Sequence, residues 1–162
     1  MTGHSRDTPD QTPNVTNHAT PLHKIIYQGN LGGQSNGAGG VMQVTDVERI
    51  VAAFTDATNR HDVEEMLALV SDDVVFEGTT PPDGVRVEGD KASLRALWEG
   101  IFRDSPNAVV ETEELIACGD RCTALLRYVF DAERPKDGHV RAVDVLRVVD
   151  GKITEKLSYV KG

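Results

Sequence analysis

Apolar residues in the first half of the folded region recur at helical spacing. After Thr45 they fall at i, i+3, i+4 and i+7, which predicts a helix with one buried face that runs to about residue 59. These apolar positions are Val47, Ile50, Val51 and Phe54. Thr45 and Glu48 form a capping-box pattern at the start of this helix. Asp62 and Asp90 can each cap a further helix that also carries apolar residues at helical spacing.

The second half of the chain has the pattern of strands. Ser71-Asp72-Asp73 is predicted to end the second helix, and Val74-Val75-Phe76 is predicted to form a strand. The four further predicted strands are residues 108–117, 121–130, 139–149 and 152–160. Because the helices come first and a strand meander follows, the fold class is α+β. The helices should pack on one face of a curved antiparallel sheet.

Residues 1–44 differ in composition from the rest of the chain. They are rich in Pro, Thr, Asn, Gln and Gly, and they end in GNLGGQSNGAGG. Such a segment cannot bury enough apolar surface to offset its chain entropy, so a disordered tail is expected before a domain at 45–162. Alternatively, Met42 is the true translation start, and the tail is then not part of the protein.

Charge and composition argue against several function classes. The chain has 17 Lys and Arg against 26 Asp and Glu, a net charge of −9, so we expect no nucleic-acid partner. No apolar stretch approaches a membrane span and the first residues do not form a signal peptide, so we expect no membrane contact and a cytoplasmic location. Cys118 and Cys122 lack the additional Cys or His of a zinc site, and no dinucleotide-binding motif is present. We therefore expect no metal and no cofactor.

The order of these elements resembles a known superfamily. Two helices, a strand that ends near Phe76-Glu77-Gly78, a third helix and a meander that closes in DVLRVVDGKI are similar to the nuclear-transport-factor-2-like superfamily. The resemblance covers about residues 45–162 and is nearest to SnoaL-like and ketosteroid-isomerase-like proteins. It implies a cone-shaped half-barrel with a pocket between sheet and helices, and a homodimer formed through the outer face of the sheet. It does not imply one activity.

The resemblance carries over few catalytic residues. Steroid isomerases of this superfamily use a base Asp at the position of Gly78, a Tyr at the position of Phe54 and a protonated Asp at the position of Asp144. Only Asp144 is retained. SnoaL-like cyclases place a His at the position of Asp144 and an Asp at that of Ser158, and neither is present. The chain therefore departs from both catalytic patterns.

Asp144 is the residue that departs most from its surroundings. On an alternating strand it shares a face with apolar residues only. These are Val140, Ala142, Leu146 and Val148. A carboxylate on such a face is costly unless it is paired, hydrogen-bonded or protonated. Two interpretations stay open: a structural ion pair, or a general acid, general base or hydrogen-bond donor to a ligand.

The partner of Asp144 depends on the hairpin at Asp150-Gly151. A three-residue turn with Gly151 in a bulge places Asp144 opposite Lys156, and the pair would keep Asp144 ionised. A two-residue turn slips the register by one and places Leu157 opposite Asp144 instead. The family resemblance favours the first register. A solvated strand lysine is the alternative interpretation of Lys156.

These residues together define a predicted ligand site. Asp144 would be catalytic, and the other members would bind the ligand: Phe54, Phe76, Trp98, Phe102, Tyr128, Lys156 and Ser158. The predicted function is cofactor-independent acid–base catalysis, such as isomerisation, cyclisation or dehydration, on a small hydrophobic molecule. The alternatives are a ligand-binding or accessory protein without catalysis, and a structural dimer whose pocket is filled by its own side chains.

Overall fold

The computed structural model describes residues 44–79, 84–134, 136 and 138–161, apart from the side chains of Val44 and Thr45. The predicted disordered tail, the alternative start at Met42 and the capping role of the Thr45 side chain lie outside the described residues. Three helices and six strands follow one another along the described chain. They are α1 (Val44–Asn59), α2 (Val63–Leu69), β1 (Val70–Glu77), β2 (Arg86–Glu88), α3 (Lys91–Asp104), β3 (Val109–Cys118), β4 (Arg121–Val129), β5 (His139–Val149) and β6 (Lys152–Val160).

The helices begin where their capping residues predict. The Asp62 carboxylate accepts a hydrogen bond from the Glu65 amide at 3.0 Å at the start of α2. The Asp90 carboxylate accepts bonds from the amides of Ala92 and Ser93 at the start of α3. The predicted apolar face of α1 is buried in full at Val47, Ile50, Val51 and Phe54.

The six strands form one open sheet in the order β2-β1-β6-β5-β4-β3. This confirms the α+β class, but the sheet is mixed and not antiparallel as predicted, because β1 runs parallel to β6. Parallel neighbours need a long crossover, and here α3 with the whole meander supplies it. Hydrophobic alternation shows that a segment is a strand but not which way its neighbour runs.

Two local predictions for β1 and β2 were wrong. Ser71-Asp72-Asp73 does not break the chain between α2 and a short strand, since β1 already begins at Val70. Asp72 and Asp73 are exposed in that strand, so they carry no burial cost there. Strand β2 was not predicted: it has three residues and pairs only with the outer edge of β1.

Helix α1 is fastened to the free edge of the sheet by one amide side chain. Asn59 Nδ2 donates to the Val110 carbonyl oxygen at 2.9 Å, and the Val110 amide donates to Asn59 Oδ1 at 2.7 Å. Both backbone groups of Val110 that face the helix are therefore paired. This holds α1, with Phe54 on its buried face, over the inner face of the sheet.

The β5–β6 hairpin has a register that neither prediction anticipated. Its turn is the two-residue Asp150-Gly151, with φ values of 49° and 76°, and Val149 pairs with Lys152. A bulge then inserts Thr154 between the pairs Val148–Ile153 and Arg147–Glu155. Asp144 consequently lies opposite Ser158, and Lys156 lies opposite Leu146. The extra residue turns Lys156 and Ser158 to the inner face.

Candidate functional site

A cavity of about 180 Å³ lies between the inner face of the sheet and the helices. All eight residues predicted for the site line it: Phe54, Phe76, Trp98, Phe102, Tyr128, Asp144, Lys156 and Ser158. They come from two helices and four strands, so only the tertiary fold brings them together. The structure places them in one pocket, and their roles remain predictions.

The walls of the cavity are aromatic. Trp98 of α3 contacts Phe54 and Phe76 edge to face, with ring centroids 5.7 Å and 5.6 Å apart. Phe102, one helical turn further, stacks on His61 at 4.2 Å. His61 lies at the joint between α1 and α2 with a left-handed φ of 55°, and its ring packs on this wall. These contacts fix an apolar enclosure.

A buried ion pair forms the floor. Lys156 Nζ lies 2.7 Å from Asp144 Oδ2, and the two side chains are 9% and 3% exposed. The predicted pairing is therefore confirmed, although the two residues are not directly opposite on the strands. The Lys156 side chain is long enough to reach the carboxylate diagonally. Its ammonium also lies 5.1 Å from the centre of the Phe76 ring, a cation–π contact.

Two hydroxyl groups complete the floor. The Tyr128 hydroxyl donates to Asp144 Oδ2 at 3.2 Å, and Lys156 Nζ donates to Ser158 Oγ at 2.7 Å. Asp144 Oδ2 thus accepts from two donors. That arrangement requires an acceptor at Oδ2, as an ionised carboxylate provides.

The surroundings fix the charge state of the floor. Burial alone would lower the pKa of Lys156, but the Asp144 carboxylate, with Tyr128, outweighs it and raises that pKa above its ordinary value. Burial raises the pKa of Tyr128 to about 12. At neutral pH the lysine is therefore an ammonium and the tyrosine a neutral phenol. The floor holds one positive and one negative charge, which cancel.

One atom of the floor has no partner. Asp144 Oδ1 is buried, and no described residue donates a hydrogen bond to it. An ionised oxygen left without a donor is costly inside a protein. This atom is the least satisfied polar group of the site.

The mouth of the cavity was not found from the sequence. Gly78, Thr79, Val85 and Ile101 also line the cavity, and Val85 and Ile101 are exposed. Ile101 follows Trp98 by three residues on α3, so its helical spacing alone would predict a buried side chain, but the structure exposes it at the cavity. Val85 precedes the unpredicted strand β2 and had no such signal.

Gly78 occupies the position that the resemblance assigns to the isomerase base. A Cβ atom there would lie 3.6 Å from Phe76 Cε1 and 3.8 Å from the Val85 carbonyl oxygen, which are ordinary contacts. The backbone at Gly78 therefore tolerates a Cβ atom without a clash. The position carries no carboxylate, so the retained Asp144 has no second acid there.

The outer face of the sheet carries charged cross-strand pairs. Arg127, Arg141 and Arg147 bind Glu111, Glu113 and Asp120, respectively. The three arginines therefore lie on the face of the sheet away from the pocket. Tyr159 and Ile116 are exposed beside them.

The described residues hold two cysteines outside the pocket. Cys118 and Cys122 are free thiols, the first exposed and the second buried. Within this part of the chain no three His, Cys, Asp or Glu side chains are grouped to hold a metal ion. No helix among the described segments is long and apolar enough to cross a membrane.

Comparison with known proteins gives a consistent family. A model of the SnoaL-like domain matches residues 51–156. An NTF2-like protein of unknown function from Mesorhizobium loti is 32% identical, with a TM-score of 0.62 over 75% of this chain and 95% of that one. The comparison with curated proteins gives no match.

Two more distant structures share the fold alone. A protein of unknown function with a cystatin-like fold from Methylobium petroleophilum is 13% identical, with a TM-score of 0.65 over 76% of this chain and 80% of that one. An LEH-like epoxide hydrolase from M. tuberculosis is 21% identical, with a TM-score of 0.56 over 73% of this chain and 84% of that one.

Proposed function

The chain belongs to the SnoaL-like domain family, and from this premise we propose that it binds a small, largely apolar molecule and acts on it by acid–base catalysis without a cofactor. The observation that carries the proposal is the buried Asp144–Lys156 pair on the floor of an aromatic cavity. Apolar pockets with a few convergent polar groups and perturbed ionisable residues are typical of active sites.

The floor has the parts that such a reaction needs. Isomerisation, cyclisation and dehydration each remove a proton from one atom and deliver one to another. The Asp144 carboxylate is the proton acceptor in this proposal. The Lys156 ammonium, with the hydroxyls of Ser158 and Tyr128, supplies donors for an oxygen that gains negative charge. The cavity walls position the substrate and exclude water.

A second candidate function is ligand binding without catalysis. The ion pair forms without any ligand, since Asp144 Oδ2 already accepts from Lys156 and Tyr128. The positions of Gly78 and Phe54 also lack the base and the tyrosine that the resemblance would require for isomerase chemistry. These two observations support an accessory or carrier role as the second candidate.

An assay with a surrogate substrate distinguishes acid–base catalysis from binding without catalysis, and it does not require the natural substrate. A nitrobenzisoxazole ring opens when a base takes its carbon-bound proton: the C–H electron pair forms the third bond of a nitrile, the N–O bond breaks, and the oxygen keeps that bond's electrons as the phenolate of the same, coloured molecule. Such probes report a carboxylate base in an apolar pocket. We expect the wild-type protein to accelerate this reaction and Asp144→Asn to lose at least about tenfold of the acceleration.

The control is Asp120→Asn, the same chemical change on the hairpin between β3 and β4, where Asp120 pairs with exposed Arg147. This variant should keep the wild-type rate. Equal rates for Asp144→Asn and wild type, with both proteins folded, would remove Asp144 as a base and leave the binding function.

We also propose that the protein is a homodimer through the outer face of the sheet. Tyr159 and Ile116 project from that face and are about half exposed in the single chain. The charged pairs Arg127–Glu111 and Arg141–Glu113 lie beside them on the same face. Large apolar side chains between ion pairs suit a self-complementary interface.

A further inference from the structure

Two hydrogen-bonding groups on the cavity floor are left unused. Asp144 Oδ1 is a buried acceptor with no donor among the described residues. Ser158 Oγ accepts from Lys156 Nζ, and an ammonium has no lone pair to accept in return. The hydroxyl proton of Ser158 must therefore point elsewhere, and the structure gives it no acceptor in the described part of the chain.

These two groups belong to a directly paired position of the sheet. Asp144 of β5 lies opposite Ser158 of β6, and both side chains are on the inner face and line the cavity. Cβ atoms of such a pair are about 4.5–5.5 Å apart. Lys156 Nζ lies 2.7 Å from both Asp144 Oδ2 and Ser158 Oγ, so one hydrogen-bonding atom already joins the ends of the two side chains. A further oxygen atom can join them in the same way from the cavity, because two hydrogen bonds of about 2.8 Å together span up to about 5.6 Å.

We propose that the ligand of this pocket is a neutral alcohol or phenol whose hydroxyl lies between Asp144 Oδ1 and Ser158 Oγ. The ligand hydroxyl donates its proton to Asp144 Oδ1 and accepts the proton of Ser158 Oγ. Its apolar body packs against the aromatic walls. The proposal rests on the proposed function, since it specifies the class of molecule that the same pocket binds.

Charge and hydrogen-bonding capacity together select the hydroxyl. A carboxylate or phosphate would approach the ionised Asp144, and the charge of Lys156 is already neutralised by that residue. A protonated amine could donate to Asp144 Oδ1 but could not accept the proton of Ser158. An ether or ketone could accept from Ser158 but would leave Asp144 Oδ1 without a donor. A hydroxyl satisfies both groups with one atom.

The size of the cavity sets the probes. An apolar cavity of about 150 Å³ accommodates benzene, so about 180 Å³ suits one ring with a short substituent. We choose para-ethylphenol, para-ethylanisole and ethylbenzene. The phenol has both hydrogen-bonding functions, the methyl ether only accepts, and the hydrocarbon has neither.

The experiment is a calorimetric titration of the full chain with each probe. Occupancy of the pocket is checked by the indole N–H resonance of Trp98, the only tryptophan in the chain. A hydrogen bond to a charged group is worth a factor of about ten or more in affinity. We expect para-ethylphenol to bind about tenfold more tightly than either of the other probes.

Ser158→Ala tests the second half of the bridge. This variant should lower the preference for the phenol several-fold while ethylbenzene binds as before. Thr123→Val is the matched control, since it removes a hydroxyl from the outer face of β4, and it should leave all three affinities unchanged.

The outcomes distinguish a failure of the hydroxyl bridge from a failure of the proposed ligand-binding function on which it rests. If ethylbenzene and para-ethylphenol bind equally well and both shift the Trp98 resonance, the hydroxyl bridge is wrong and the apolar pocket stands. If para-ethylanisole matches the phenol, Ser158 alone reads the ligand and the role of Asp144 Oδ1 is wrong. If no probe shifts the Trp98 resonance, the ligand-binding function itself is overturned.

Discussion

Removing the charge of Lys156 while keeping most of its length, as in Lys156→Met, isolates the buried ion pair on the pocket floor. The variant leaves the Asp144 carboxylate buried with only the Tyr128 hydroxyl as a donor. The two charged side chains are 9% and 3% exposed, so solvent screens their interaction little. Breaking such a pair from one side costs about 3–5 kcal/mol.

The magnitude is large compared with the stability of a domain of this size. The free energy of unfolding of small domains is about 5–15 kcal/mol. A loss of about 3–5 kcal/mol should therefore lower the melting temperature of Lys156→Met by roughly 10–20 °C. Replacing both residues, as in Asp144→Leu with Lys156→Met, should recover most of that loss because no buried charge is left unpaired. The contrast between the single and the double variant measures the pair itself.

The assay is urea-induced unfolding followed by circular dichroism, with the slope of the transition checked for two-state behaviour. Asp120→Asn serves as the control, since it breaks an exposed pair with Arg147 and should change stability by less than about 1 kcal/mol. A loss below about 1 kcal/mol for Lys156→Met would refute the reasoning. The pair would then be hydrated in solution rather than buried.

Two further predictions concern pH and assembly. Burial raises the pKa of folded Tyr128 to about 12, so the unfolded chain loses this proton first, near pH 10. The raised pKa of Lys156 acts in the same direction. Its contribution to the stability of the fold is present below the pKa of the unfolded chain and is lost as the pH rises through the folded value. Stability should therefore fall between about pH 10 and pH 12, and less steeply in Tyr128→Phe; an identical slope in urea titrations of both proteins would contradict this. For assembly, light scattering should find a dimer for the wild type and a monomer for Tyr159→Asp. The control Arg103→Glu changes an exposed residue of α3, away from the sheet, and should stay dimeric. A monomeric wild type would remove the dimer proposal.

Much of the fold could be predicted because the buried face of a helix or strand places apolar residues at a regular spacing in the sequence. The spacing of the apolar residues up to Phe54 predicted α1, and alternation predicted the four long strands of the meander within one or two residues. Asp144 stood out because alternation placed a carboxylate among apolar neighbours. The rest of the predicted site followed from the family resemblance and from aromatic residues at core positions.

The predictions failed where the structure depends on which strands pair, and not on the spacing of apolar residues within one strand. Strand β2 has three residues, too few for alternation to be distinguished from chance. The parallel direction of β1 is set by the path of the chain after Glu77, and no local pattern carries it. A threonine at position 154 does not indicate a bulge, so the register of β6 could be known only from its pairing with β5.

The bulge at Thr154 makes the backbone pairing, and not residue identity, decide which side chains face the cavity. If β6 ran on from Ile153 with no bulge and no deletion, Glu155, Leu157 and Tyr159 would turn inward and Lys156 and Ser158 would turn to the outer surface. The floor would then hold two carboxylates, Asp144 and Glu155, and no lysine, with the sequence unchanged. Deleting Thr154 would instead keep Lys156 opposite Leu146 and Ser158 opposite Asp144, because the extra residue leaves together with the bulge. Relatives of this chain are therefore best compared by the pairing of β6 with β5 and not by counting residues from the turn.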